Sequence, residues 1–136
     1  MKNNIVETLN PKLETLNKHK TQNSKQYDLR DRTLGFSKRI VNYVDSLSHT
    51  ISNIEIARQL IRAAGSVGAN YIEAEESLSR KDFVLRMKIS RKEAKESIYW
   101  LKLSKPGENL IIEQQSLIQE ATELMKIFGS IVEKSK

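Results

Sequence analysis

Between Ile56 and Leu78, the residues Ile56, Leu60, Ala64, Val67, Tyr71, Ala74 and Leu78 recur at steps of four and three. That spacing is the period of a helix with one apolar face, and it excludes a strand, whose side chains alternate at every second position. It predicts a helix over 54–78 that needs apolar neighbours along one side. Three other stretches repeat the pattern. Phe36, Ile40, Tyr43, Val44 and Leu47 define a helix over 31–47; Phe83, Met87, Ser90, Ala94, Ile98 and Leu101 define one over 79–104. Leu110, Leu117, Ala121, Leu124, Phe128 and Ile131, flanked by Ile118, Met125 and Val132, define one over 108–134. Short links make successive helices antiparallel, so the chain reads as an all-α, up-down-up-down antiparallel four-helix bundle. Five glycines and two prolines in 136 residues agree, because a barrel or sandwich needs a turn about every 8 to 12 residues.

Helix punctuation supports the same division. Asp28 or Asp31 can cap the first helix and Ser52 or Asn53 the second, while Ser79 with Asp82 forms a capping-box start for the third. Lys105-Pro106-Gly107 is a strong stop. Gly65 and Gly68 lie inside the second helix, each costing about 1 kcal/mol relative to Ala, which predicts close backbone approach at both. As a phosphate loop, GSVGAN lacks the Lys-Ser/Thr ending and a preceding strand. Residues 1–26, rich in Asn, Lys and Thr, read as a mobile polar extension, with room for a short helix capped by Asn10 with Pro11 that docks Leu13 and Leu16. Residues 27–136 form the bundle domain.

Several function classes are excluded. Without cysteine there is no disulfide, thiolate metal site or cysteine nucleophile. No apolar run reaches the roughly 18 residues of a membrane helix and the N-terminus has no signal-peptide core, which places the chain in the cytoplasm and off the membrane. His19 and His49 lie in polar connections away from any Glu-x-x-His motif, so no metal and no cofactor is expected. Glu73, Glu75 and Glu76 read as a solvated face able to orient Arg58, Arg62 or Arg80. No catalytic residue and no small-molecule substrate emerge, and the chain reads as a non-enzyme.

Two surface features lie beyond the core's needs, both on the third helix. At about 100° per residue, Leu85, Ile89, Tyr99, Trp100 and Leu103 fall opposite the core positions. With the off-face Leu34, Val41 and Ile72 they predict an oligomer interface. Between the two faces run Lys81, Lys88, Lys92, Lys95 and Lys102, flanked by Arg80, Arg86 and Arg91. Residues 79–105 carry nine Lys/Arg against three acids, partly balanced by acidic second and fourth helices in a chain of net charge +6. Lys81, Lys88, Arg91, Lys92, Lys95 and Lys102 are therefore the candidate nucleic-acid contacts. The competing reading is a solvated face paired with Glu93, Glu96 and acids of neighbouring helices.

The central stretch carries a more specific signal. Arg62-Ala63, Ser66-Val67-Gly68-Ala69-Asn70-Tyr71, Glu73-Ala74, Lys81-Asp82-Phe83, Lys92-Glu93-Ala94, Glu96 and Tyr99-Trp100-Leu101 together resemble the four-helix-bundle family encoded in intervening sequences of bacterial 23S ribosomal RNA genes. The resemblance runs from about Tyr27 to Ile131. It implies an up-down bundle and a ring-like homo-oligomer, a pentamer, with ribosomal RNA linked by gene location. A related branch comprises basic pentameric accessory proteins of diversity-generating retroelements, which work with a reverse transcriptase and nucleic acid. Two functions follow as expectations: a non-enzymatic oligomer binding RNA or DNA through its basic helix, or a scaffold or accessory subunit docking a protein partner.

Overall fold

The computed structural model describes residues 25–136, with side chains from Leu29 onward. The expected short helix at Asn10 and Pro11, with Leu13 and Leu16, lies outside the described residues. Four helices follow one another: α1 (Lys25–Asp45), α2 (Ile51–Glu75), α3 (Arg80–Leu103) and α4 (Ile111–Lys134), the last preceded by one 3-10 turn (Glu108–Leu110). The cross-links give their directions. Arg30 near the start of α1 reaches Glu75 at the end of α2, and Arg86 and Ser90 of α3 bond Asn70 and Val67 of α2. Gln114 at the start of α4 bonds Leu101 at the end of α3, and Arg39 late in α1 reaches Glu113. Each neighbour runs opposite to the last, giving the antiparallel up-down-up-down bundle.

Helix limits differ from the expected ones where local hydrogen bonding wins. α1 is already helical at Lys25, so Asp28 and Asp31 fall inside it rather than at its start. At the start of α2 the cap is Thr50, whose Oγ1 accepts from the Asn53 backbone N–H at 3.1 Å, in place of Ser52 or Asn53. α2 ends at Glu75, so Leu78 is 98% exposed rather than in the core: it sits in the turn that hands over to α3. Ser79 does cap α3, accepting from the Asp82 N–H at 3.1 Å.

The remaining core positions of α1 and α2 are buried as expected, joined by Leu29 and Ala63. From α3 come Met87, Ser90, Ala94 and Leu101, and from α4 Leu117, Ala121, Leu124 and Phe128. Phe83, Ile98, Leu110 and Ile131 pack at the margin, while Val132 is buried. At its centre the bundle narrows around α2. Ser37 of α1 donates its hydroxyl to the Ala64 carbonyl at 2.9 Å, and Ser90 of α3 donates to the Val67 carbonyl at 2.9 Å. These bonds require short side chains and close helix axes, which Ala63, Ala64 and Gly68 permit.

The two glycines then separate. A Cβ on Gly68 would stand 2.9 Å from Thr33 Oγ1, whereas a Cβ on Gly65 would meet nothing within 4 Å. Close approach holds at Gly68 and fails at Gly65, which points away from every helix of the bundle.

The loop end is tied by one residue. Asn53 is buried, donates to the carbonyls of Ser48 and Lys105, and accepts from the Lys105 N–H at 3.0 Å. It joins the α1–α2 connection to the end of α3. α1 and α4 touch less than the other neighbours, and arginines bridge them: Arg32 forks onto Glu120 at 2.7 and 2.8 Å and reaches Glu123 at 2.7 Å. Hydrogen bonding to Glu120 raises the Arg32 pKa, while Gln119 and then Arg32 hold the Glu123 carboxyl below its ordinary value.

Two outcomes follow. Gly68→Ala lowers the unfolding midpoint, the overpacking costing about 1–3 kcal/mol against a helix-propensity gain of about 1, whereas Gly65→Ala leaves the midpoint unchanged or raises it. Burial, assisted by the Glu75 charge, pushes the Tyr71 phenol up to about 12. Its folded value exceeds the unfolded value of about 10, so this contribution is complete below pH 10 and disappears as pH rises to 12. Denaturant titrations across that window lose about 2 to 3 kcal/mol that Tyr71→Phe does not lose.

Candidate nucleic-acid interface

α3 contacts α2 along one flank and α4 along the other, and its outward sector holds the sequence-predicted site. Lys81, Lys88, Lys92, Lys95 and Lys102 are all exposed. Four of them, 81, 88, 95 and 102, stand seven apart. At 1.5 Å rise per residue that is a step of about 10.5 Å and a row about 31 Å long.

The basic groups of α3 divide by chemistry. Arg86 leaves the row to donate to Asn70 Oδ1 at 3.0 Å, and Arg91 lies along α4, its Cδ 3.5 Å from where a Gly129 Cβ would stand. Arg91 is half-buried there and does not join the lysine row. The competing reading's pairing of the lysines with Glu93 and Glu96 does not occur. Arg62 of α2 takes both carboxylates, Glu96 at 3.1 Å and the buried Glu93 at 3.5 Å. Nor do the acids of α2 orient Arg58, Arg62 or Arg80: Glu75 pairs with Arg30. Among the described residues no ion pair uses a lysine of the row. The planar guanidinium fork makes two directed bonds at once, so arginines win the internal carboxylates and the ammonium groups stay in water. Glu133 on α4 feels the row only at a distance: Lys136 chiefly holds its carboxyl low, with Arg91 and Lys88 adding a smaller field.

The expected interface residues also divide. Tyr99 is 60% exposed, Leu85 52% and Leu103 46%, whereas Ile89 and Trp100 are half-buried. Trp100 packs against the core and its indole N–H is buried without an acceptor. Its ring meets Tyr99 edge-on, centroids 5.0 Å apart at 80°. Beside it, between α2 and α3, opens a cavity of about 500 Å³ walled by Ile56, Trp100 and Leu103, with Glu55, Gln59 and Lys105 as polar lining. No periodicity argument reveals such a cavity, because it needs the α2–α3 offset.

A second apolar surface follows the α1–α2 groove. Leu34, Val41 and Ile72, the off-face residues of the sequence, are 53, 42 and 43% exposed there, joined by Ile54 and Ile61. Among the described residues no three His, Asp or Glu side chains could hold a metal ion, and no helix is long and apolar enough to cross a membrane.

Residues 25–130 match the family model described as 23S rRNA-intervening sequence protein. Among solved structures, the chain is similar to a protein of unknown function from the S23 ribosomal protein family of Bacteroides thetaiotaomicron. Identity is 33%, the match covers 81% of this chain and 99% of that one, and the TM-score is 0.70. No curated protein matches.

The two kinds of basic residue respond differently to removal. Lys88→Ala, Lys92→Ala and Lys95→Ala each change stability by less than about 0.5 kcal/mol. Arg62→Ala, which strips the partner from buried Glu93, costs about 1–3 kcal/mol. Chemical denaturation of the four variants measures both.

Proposed function

This chain belongs to the 23S rRNA-intervening sequence protein family, and on that premise we propose that it is a non-enzymatic homo-oligomer that binds RNA or another nucleic acid. One observation carries the reading: Lys81, Lys88, Lys92, Lys95 and Lys102 are exposed along one face of a helix and form no ion pair with a carboxylate among the described residues. A straight row of mobile ammonium groups suits phosphates, which it attracts without demanding a sequence. Repetition by symmetry multiplies the effect, since several rows on one assembly bind a polyanion multivalently.

Self-association is supported by two unlike apolar surfaces, the α1–α2 strip and the outer α2–α3 face. Contact between different surfaces of identical chains is heterologous, and it closes into a ring when the rotation permits. The family resemblance implies five subunits in that ring. Cytoplasmic residence suits a chain without cysteine. The reading as a scaffold or accessory subunit draws on the same apolar strip, and a protein captured by the chain in a nuclease-insensitive way would favour it.

Anisotropy titration against structured RNA at low salt gives measurable affinity, with a log-log salt slope of about −4 to −5 on duplex for five neutralised phosphates. Reversing charge at Lys88, Lys92 and Lys95 together abolishes most of that affinity while sedimentation of the oligomer is unchanged. Absence of affinity for any RNA or DNA would end the nucleic-acid reading, and a purely monomeric species at micromolar concentration would end the ring.

A further inference from the structure

The lysine row has a companion. Leu85, Lys92 and Tyr99 form a second line with the same seven-residue step, so Tyr99 stands among lysines: Lys92 seven before it, Lys95 four before and Lys102 three after. An isolated exposed tyrosine needs no explanation. This one has its ring held edge-on by Trp100, and Trp100 in turn walls the α2–α3 cavity near the Lys102 end of the row.

That cavity has the chemistry of a site for a planar nitrogen heterocycle. Ile56, Leu103 and the indole supply apolar walls, and Gln59 with Glu55 offer an amide and a carboxylate to groups on a ring edge. Its volume of about 500 Å³ falls within the usual range for small-ligand sites. Lys105 on its lining carries positive charge past Lys102, while the nearby acid Glu96 is already neutralised by Arg62. The row thus leads a phosphate chain towards an aromatic face and a base-sized recess.

A duplex cannot use either feature, because its bases are paired and stacked, and extruding one costs a few kcal/mol. A single strand offers free π-faces and free edges. We propose that the ligand of α3 is single-stranded nucleic acid, its phosphates following Lys81 to Lys102, one base stacked on Tyr99 and a neighbouring base lodged in the α2–α3 cavity. This rests on the nucleic-acid reading above and assigns Tyr99, Trp100 and Leu103 to the ligand instead of to the subunit contact, leaving Leu85, Ile89 and the α1–α2 strip for self-association.

The test uses the full chain, a fluorescein-labelled 20-nucleotide single strand without self-complementarity, and the duplex it forms with its complement. The single strand binds at least tenfold more tightly than the duplex and quenches the lone tryptophan, Trp100, which the duplex does not. Tyr99→Ala weakens single-strand binding by about 5- to 150-fold, the range for one lost stacked base, without changing duplex affinity or the salt slope, and Tyr99→Phe restores it. Gln59→Ala, outside the lysine row, weakens single-strand binding alone. Lys88→Ala weakens both ligands and lowers the slope by about one. Equal loss on both ligands with Tyr99→Ala, no loss on either, or dissociation of the oligomer by that substitution overturns the proposal. Duplex binding with no single-strand preference overturns it while leaving the nucleic-acid reading intact, whereas no binding of either ligand removes both.

Discussion

Everything in this bundle is set by how closely α1 and α3 can approach the middle of α2. Two serine hydroxyls, Ser37 from one side and Ser90 from the other, donate to the Ala64 and Val67 carbonyls. A hydroxyl on a one-carbon stem reaches a neighbouring backbone only when helix axes are close, so Ala63, Ala64 and Gly68 are small for a geometric reason. Thr33 fills the space Gly68 leaves. Leu at Ala64 or Val67's neighbour Gly68 would push a helix away and break the bonds on that side. The outward sector of α3 is a consequence, because the approach of Ser90 fixes which face of that helix turns away.

Charge is arranged on the same logic. Internal carboxylates attract whichever cation can be held with least loss of freedom, and a planar fork making two bonds outcompetes a flexible ammonium. Arg30, Arg32, Arg39 and Arg62 accordingly hold helices together, Arg32 and Arg39 across the seam where α1 and α4 pack least. The lysines are left for solvent or a ligand. Mixed basic composition thereby resolves into a structural set and an available set, a division that net charge alone does not express.

Much of the fold was legible because helical periodicity is a local property. Apolar spacing of three and four located all four helices, and nearly every core position of α1 and α2 follows from it. Leu78 fails because the stripe continues in sequence past the point where the backbone turns. Gly65 and Gly68 looked equivalent since composition cannot say which faces a neighbour. The lysine row and outward apolar residues were equally readable, both being angular facts about one helix. Asn53 was not: read as a cap, it is a buried tie between two connections, and its partner Lys105 is remote in sequence.

By itself, then, the sequence determined which faces the helices bury, their number and antiparallel order and the family to which the chain belongs, because these depend on residues a few positions apart. Only the tertiary structure decided which basic side chains are consumed internally, which glycine faces a neighbouring helix, and that Ile56, Gln59, Trp100 and Leu103 surround one cavity. Those outcomes depend on the distance and offset between helices, and distant residues settle them together through packing and hydrogen-bond geometry.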